Sequence, residues 1–143
     1  TPAKIDGVWR IGVLIGNRYK FPINVTLSLA NVGGPSGGMM FALGIYDKLT
    51  PGSLTGGEII AGTGTIDDNG VVGAIGGIRQ KMYGAVRAGA KFFLAPADNC
   101  NEVVGHIPNN LQVVKVSNFS QALAAVRQIG TRHNVSGLAT CTK

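Results

Sequence analysis

Residues 33–49 read GGPSGGMMFALGIYDKL, a glycine-rich turn that leads into an apolar run. The run is too long for a typical strand and ends at Thr50-Pro51-Gly52, so we interpret residues 39–49 as a buried helix. Ser36 lies in the turn with glycines on both sides. Its hydroxyl is predicted to emerge at a helix N-terminus, where free N–H groups and the helix dipole favour negative charge. A plain helix-capping serine is the structural alternative.

Strand patterns lie on both sides of this segment. Residues 21–29 alternate between apolar and polar side chains, and residues 11–15 do the same before a Gly-Asn turn, so the first thirty residues predict a sheet. Further along, Asp67-Asp68-Asn69-Gly70 ends in Asn-Gly, a strong hairpin signal, between predicted strands at 58–66 and 71–75.

The second half of the chain alternates helix and strand patterns. We expect helices over 78–88 and 99–104, strands over 91–94 and 112–116, and a last helix that begins at an Asn118 cap and stops at Gly130. The chain is therefore predicted to be one α+β domain over residues 1–130, followed by a polar tail over residues 131–143.

Composition narrows the class of protein. Of 143 residues, 45% are hydrophobic and only 14% are charged, which excludes a disordered chain. The net charge is +6, but the thirteen Lys and Arg residues form no basic run, so no nucleic-acid partner is expected. No apolar stretch approaches the length of a membrane span, and the chain starts at Thr1 without a methionine, so we expect a soluble fragment of a longer protein.

No cofactor or metal is expected. Cys100 and Cys141 lack the paired spacing of a zinc site, and no glycine cluster is followed by the Gly-Lys-Ser/Thr of a phosphate loop. The sequence leaves open whether these cysteines form a disulfide or Cys100 is a free buried thiol.

A nucleophilic serine needs a base, and the sequence offers several. Gly34-Pro35-Ser36-Gly37-Gly38 fits the Gly-x-Ser-x-Gly elbow of α/β-hydrolases, with Asp98 and His106 as the other triad members, whereas His133 lies in the polar tail. Lys81 lies on the shoulder of an apolar helical stripe, so its amine is either buried and desolvated or extended into solvent.

The stretch from Gly33 to Pro96 resembles the proteolytic domain of the Lon family of serine peptidases. The segment that carries that family's nucleophile matches Gly34-Pro35-Ser36-Gly37-Gly38. Its lysine segment matches Ala74-Ile75-Gly76-Gly77 with Lys81. A threonine that supports the dyad in the family falls on Thr63 of Thr63-Gly64-Thr65.

The resemblance implies an α+β Lon proteolytic domain of the ribosomal protein S5 domain 2-like type, with mixed sheets and with helices that carry the serine and the lysine. It implies an ATP-independent serine endopeptidase in which Ser36 is the nucleophile, Lys81 is the base and Thr63 hydrogen-bonds the lysine amine. The backbone around Gly34, Pro35 and Gly37 would form the oxyanion hole and meet the substrate backbone. The alternative is a silent Lon-like fold used as a binding or assembly module.

Within the family, residues 42–52 and Ile66-Asp67 look most like the PDZ-containing, Lon-like proteases of actinobacteria. This resemblance implies an upstream PDZ domain and membrane anchor, a location on the extracytoplasmic face of the cell membrane, protein or peptide substrates, and a homo-oligomeric ring. Two positions depart from the ATP-dependent Lon enzymes: Gly33 replaces an acidic residue, and Thr65 replaces the glutamate after Thr-Gly.

Overall fold

A computed structural model of the protein describes residues 3–10, 23–26 and 34–142. Within these ranges, helices and strands are interspersed, and parallel and antiparallel strand pairs occur together, consistent with the predicted α+β class. The strands are β1 Ala3–Ile5, β2 Val8–Arg10, β3 Ile60–Gly62, β4 Thr65–Ile66, β5 Val72–Gly73, β6 Phe92–Pro96 and β7 Gln112–Val116. The α-helices are α1 Gly38–Leu49, α2 Ile78–Arg87, α3 Cys100–Val103 and α4 Phe119–Arg132.

The central sheet has the strand order β3-β6-β7, and both of its strand pairs are parallel. Phe92 of the middle strand lies opposite Ile60 on one side and Gln112 on the other. All five residues of β6 are buried. Parallel strands covered on both faces are continuously apolar, which explains why residues 92–96 show no alternation.

The two faces of this sheet carry separate parts of the core. Leu94 faces a cluster built with α1 and α4, whereas its neighbours Phe93 and Ala95 face a cluster built with α2 and α3. Successive side chains of a strand point to opposite faces, so one short strand supports helices on both sides. Helix α1, which follows Ser36, and helix α2, which carries Lys81, therefore lie on opposite faces of β6.

The predicted hairpin is present. β4 pairs antiparallel with β5, and the Asp67 carboxylate accepts hydrogen bonds from the N–H groups of Asn69 and Val71 in the turn. The single strand predicted over 58–66 is wrong, because β3 belongs to the parallel sheet and β4 to the hairpin. The chain changes sheets at Thr63 and Gly64, whose N–H groups donate to the carbonyl oxygens of Leu94 and Ser36.

Helix α4 starts as predicted, with the Gln121 N–H donating to Asn118 Oδ1 at 2.9 Å. It runs through Gly130 to Arg132, so the predicted stop at Gly130 is wrong. Gly130 lies against the backbone of residues 54–56, where an added Cβ would be 2.8 Å from the Thr55 carbonyl carbon. This glycine permits close packing inside a helix and does not end it.

Residues after α4 pack back onto the domain. Val135 and Leu138 contact the core cluster that contains Leu94, and the Lys115 N–H donates to the Ala139 carbonyl oxygen at 2.8 Å. Cys100 and Cys141 form a disulfide across 41 positions, with their Cα atoms 5.1 Å apart. Of the two alternatives for the cysteines, the structure has the disulfide.

A hairpin that the sequence analysis did not anticipate joins β1 and β2 through Asp6-Gly7, whose φ angles are 54° and 79°. Asp-Gly is favoured in such turns because both positions have positive φ. The strand predicted over 11–15 lies outside the described residues. Of the strand predicted over 21–29, only the exposed residues 23–26 are described, and they adopt no regular structure. No helix in the described parts of the chain is long and apolar enough to cross a membrane.

Candidate active site

Ser36 occupies a short 3₁₀ turn, Pro35–Gly37, that continues directly into α1. Gly34 precedes the turn with φ of 85°, a left-handed conformation that favours glycine, and Pro35 presets the first helical position. Gly34 is the N-cap of the 3₁₀ turn, and Gly37 is the N-cap of α1. Neither helix start has a side-chain capping hydrogen bond. The Ser36 hydroxyl is therefore not a helix cap, which removes the plain capping alternative.

The backbone of Ser36 is fixed from the strand side. Its carbonyl oxygen accepts two hydrogen bonds, from Thr63 Oγ1 at 2.9 Å and from the Gly64 N–H at 2.8 Å. Gly64 in turn accepts at its carbonyl oxygen from the Met39 N–H at 3.1 Å. Thr63 is 2% exposed, and its own N–H donates to the Leu94 carbonyl oxygen at 3.1 Å. The serine turn is thus tied through Thr63 to the central strand.

Lys81 reaches the serine from α2. Its Nζ donates to Ser36 Oγ at 3.4 Å, although the two residues are 45 positions apart in the sequence. Ile78, Met82 and Ala85 bury the inner face of the helix, while Lys81 is exposed. The sequence allows the Lys81 amine to be either buried along the apolar stripe or extended into solvent. The structure has the exposed orientation, so the buried one is wrong.

Thr63 has a different partner from the expected one. The family resemblance implies that Thr63 hydrogen-bonds the lysine amine, but its hydroxyl donates to the Ser36 carbonyl oxygen. Among residues 3–10, 23–26 and 34–142, the side-chain hydrogen bond of Lys81 goes to Ser36 Oγ. Thr63 therefore acts on the serine turn and not directly on the amine.

The glycines around Ser36 have different roles. An added Cβ at Gly34 would meet nothing within 4 Å, but its positive φ disfavours any other residue. An added Cβ at Gly37 would lie 2.9 Å from the Phe41 ring, so the protein itself fills the space expected for a substrate there. Pro35 has no N–H and cannot donate to an oxyanion. The Ser36 N–H, at the start of the helical segment, is a donor suited to that role, whereas the i→i+3 pattern of the 3₁₀ turn pairs the Gly37 N–H with the Gly34 carbonyl oxygen.

The start of α1 is suited to an anion. This helix has no acidic residue in its first turn, so no carboxylate within that turn offsets the partial positive charge at the helix end. A negative charge that develops on a substrate oxygen near Ser36 would be stabilised there.

A family model gives this geometry its context. Residues 23–128 match the model of the Lon protease (S16) C-terminal proteolytic domain, which covers more than half of the chain. The chain belongs to this family. The Lon protease of Brucella abortus biovar 1 (strain 9-941) is 35% identical over 100 residues, which are 66% of this chain and 12% of that protein.

Two further Lon proteases show the same relation. Lon protease 2 of Bacillus subtilis (strain 168) is 30% identical over 92 residues, covering 64% of this chain and 16% of that protein. The Lon protease of Rickettsia typhi (strain ATCC VR-144 / Wilmington) is 31% identical over 117 residues, covering 78% of this chain and 15% of that protein. The chain therefore spans a small part of the length of these curated relatives.

Histidines take no part in the serine site of this Lon proteolytic domain. His106 Nδ1 lies 3.1 Å from the Val104 carbonyl oxygen, and His133 Nδ1 lies 2.8 Å from Glu58 Oε1. Within the described part of the chain, neither histidine hydrogen-bonds Ser36, so the hydrolase-type triad with Asp98 and His106 is not assembled. Of the two departures from the ATP-dependent enzymes, Thr65 lies in β4, and Gly33 is outside the described residues.

One buried polar residue near the site was not singled out from the sequence. Asn99 is 2% exposed, and its amide holds both backbone groups of Ile75 in the loop before α2. Its only sequence signal is an asparagine soon after a buried strand and a proline, which by itself predicts a turn.

Proposed function

We propose that this Lon proteolytic domain is an ATP-independent serine endopeptidase in which Ser36 is the nucleophile and Lys81 is the general base. The observation that carries the proposal is the 3.4 Å approach of Lys81 Nζ to Ser36 Oγ from a different helix. A nucleophile and a base within hydrogen-bond reach are the arrangement that hydroxyl activation requires, and such contacts are often looser in the absence of substrate. Membership of the Lon family points to the same chemistry.

In the acylation step, the neutral amine of Lys81 takes the proton of Ser36 Oγ as that oxygen forms a bond to the peptide carbonyl carbon. The carbonyl electron pair moves onto its oxygen, where the Ser36 N–H at the start of the helical segment donates to it. When the intermediate collapses, the C–N bond breaks and the Lys81 ammonium gives its proton to the departing nitrogen.

In the deacylation step, Lys81 takes a proton from a water molecule, whose oxygen attacks the acyl carbon. The ester bond to Ser36 Oγ then breaks, and the lysine returns the proton to this oxygen. The free enzyme is restored, and the product is a peptide with a free carboxylic acid. None of the proposed reaction steps uses a metal, a cofactor or a nucleotide.

Thr63 supports the reaction through the serine backbone in this proposal. With Gly64, it holds the Ser36 carbonyl oxygen and thereby sets the direction of the Cα–Cβ bond. Because the nucleophile is held in place before substrate arrives, less orientational freedom has to be lost in the transition state.

We also propose that the domain works in a longer chain with an upstream PDZ domain and membrane anchor, as in the actinobacterial Lon-like proteases, and that it has the S5 domain 2-like fold. The Cys100–Cys141 disulfide supports the extracytoplasmic part of this proposal, because disulfides persist in oxidising compartments. The partners would be protein or peptide substrates and further copies of the chain in a ring.

Peptide hydrolysis without ATP tests the proposed activity. Casein or a fluorogenic peptide is incubated with the wild-type chain and with Ser36→Ala. We expect cleavage by the wild type and a loss of at least about 1,000-fold in the variant. Because the Ser36 hydroxyl caps no helix, the variant should have a free energy of unfolding within about 0.5 kcal/mol of wild type. A folded wild-type chain that cleaves nothing would favour the alternative of a silent binding or assembly module.

A further inference from the structure

Asn99 lies in the short turn that follows β6, and its side-chain amide makes three hydrogen bonds. Its Oδ1 accepts from the Ile75 N–H at 3.0 Å, and its Nδ2 donates to the Ile75 carbonyl oxygen at 2.9 Å and to Glu102 Oε1 at 2.8 Å. The side chain is almost completely buried, with 2% of the residue exposed. Buried amides with this many short hydrogen bonds fix the position of what they hold.

The segment that Asn99 holds leads directly to Lys81. Ile75 is followed by two glycines, of which Gly77 has φ of 73° and caps α2. The Lys81 N–H donates to the Gly77 carbonyl oxygen at 3.2 Å, so the position of Gly77 sets where the first turn of the helix and its lysine begin. Two consecutive glycines are the most freely rotating residues, and a loop containing them needs an external anchor.

A second contact fixes the same helix end. Arg79 Nε donates to the Glu102 carbonyl oxygen at 3.1 Å, and the side chain of the same Glu102 accepts at Oε1 from Asn99. Ile78 and Val103 are buried in the same core cluster. The start of α2 is therefore clamped to the segment over residues 99–103.

The segment that ends in Asn99 supports both halves of the site. Thr63, which holds the Ser36 carbonyl oxygen, is itself held by the Leu94 carbonyl oxygen in β6. Asn99 follows this strand and holds the loop before Lys81. Both halves of the site are thus attached to β6 or to the segment that follows it. Thr63 makes this attachment for the serine turn, and Asn99 makes it for the loop before Lys81.

We propose that Asn99 is a positioning residue that sets the distance between Lys81 Nζ and Ser36 Oγ through the backbone of Ile75. This inference rests on the proposed function of the two residues. The 3.4 Å contact leaves little room for displacement before the proton can no longer be transferred directly. An amide is the side chain that suits this place, because a carboxylate cannot donate to the Ile75 carbonyl oxygen and an aliphatic residue would leave both Ile75 groups unpaired.

The test compares Asn99→Ala with Asn118→Ala in peptide hydrolysis and in labelling of Ser36 by a fluorophosphonate. Asn118 is the matched control, because it also loses an amide that accepts a backbone hydrogen bond, but at the start of α4. At a temperature where both variants are folded by circular dichroism, Asn99→Ala should lower kcat and the labelling rate by about 10- to 100-fold. KM should change by less than about twofold. Asn118→Ala should remain within about twofold of wild type in all three values.

Equal kcat in the two alanine variants would overturn the proposal, as would a loss in Asn99→Ala that matches only its unfolded fraction. If Asn99→Ala does not fold, Glu102→Ala and Glu102→Gln replace it. Glutamine keeps the oxygen that accepts from Asn99, so it should retain wild-type kcat while the alanine variant loses several-fold. Equal kcat in this pair would contradict the proposal.

Amide hydrogen exchange separates this inference from the proposed function. If the wild-type chain neither cleaves nor reacts, the proposed function fails, and exchange of the Ile75, Gly76 and Gly77 amides still reports the clamp. Faster exchange at these positions in Asn99→Ala but not in Asn118→Ala supports the positioning of the loop. Unchanged exchange overturns it.

Discussion

The Thr63 hydroxyl donates at 2.9 Å to the carbonyl oxygen of Ser36, a residue 27 positions earlier in the chain. This contact crosses from the end of β3 to the turn before α1, and the buried position of Thr63 keeps it away from water. It shows that the threonine acts on the backbone of the serine turn, and the lysine amine is left with Ser36 Oγ as its partner.

Thr63→Val should lower kcat by about tenfold, because the valine keeps the shape but leaves the Ser36 carbonyl oxygen held by the Gly64 N–H alone. The free energy of unfolding should fall by about 1 kcal/mol. Thr63→Ser keeps the hydroxyl and should retain most of the activity. Peptide hydrolysis and urea denaturation of the pair measure both effects, and a Thr63→Val protein with wild-type kcat would contradict the role of this contact.

Lys81→Met should lower kcat for peptide hydrolysis by about 100-fold or more, because no base then accepts the serine proton. Lys81 is exposed, so the free energy of unfolding should change by less than about 0.5 kcal/mol. A Lys81→Met protein that loses several kcal/mol of unfolding free energy would mean that the lysine has a structural role.

Cys100→Ser with Cys141→Ser should lower the free energy of unfolding by about 2–4 kcal/mol, because the disulfide closes a loop of 41 positions. Thiol titration provides the control: the unreduced wild-type protein should show no free thiols, and the denatured, reduced protein two. The same urea midpoint before and after reduction would show that the disulfide does not hold residues 133–142 in place.

Gly130→Ala should destabilise the domain by about 1–3 kcal/mol, although alanine is the better helix former. The reason is the backbone of residues 54–56, which an alanine methyl group would overlap. Gly84→Ala in α2 is the matched control, since the nearest atom to an added Cβ there belongs to the flexible Arg87 side chain, 3.8 Å away. That variant should be more stable by about 0.5–1 kcal/mol. Destabilisation by both substitutions to the same extent would show that packing at Gly130 is not the cause.

Local patterns predicted the elements whose shape depends on neighbouring residues. The strand over 112–116 has the predicted bounds, the turn at Asp67 forms the predicted hairpin, and Asn118 caps α4 as expected. Side-chain alternation, turn residues and capping residues act over a few positions, so one sequence displays them directly.

Errors arose where distant segments meet. The predicted strand over 58–66 is split because Thr63 and Gly64 donate to Leu94 and Ser36, which are distant in the sequence. Gly130 resembles a helix stop, but it serves the approach of a loop around Thr55. Such contacts leave no periodic signal in the chain.

The candidate site shows the same division. Local pattern pointed to Ser36 and Lys81 and a resemblance of motifs added Thr63, and the structure brings these residues into contact around the serine turn. The partner of Thr63 and the exposure of Lys81 depend on the packing of α1 and α2 against the sheet, which the motifs do not specify. Asn99 was missed because its target, Ile75, is 24 positions away.

The site of covalent labelling by a fluorophosphonate tests the central claim most directly. The wild-type chain and Lys81→Met are incubated with the reagent, and the modified peptide is identified by mass spectrometry. The account predicts a single adduct on Ser36 in the wild type and about 100-fold slower labelling in Lys81→Met. An adduct on another residue, or labelling of Ser36 at the same rate in both proteins, would contradict the Ser36–Lys81 mechanism.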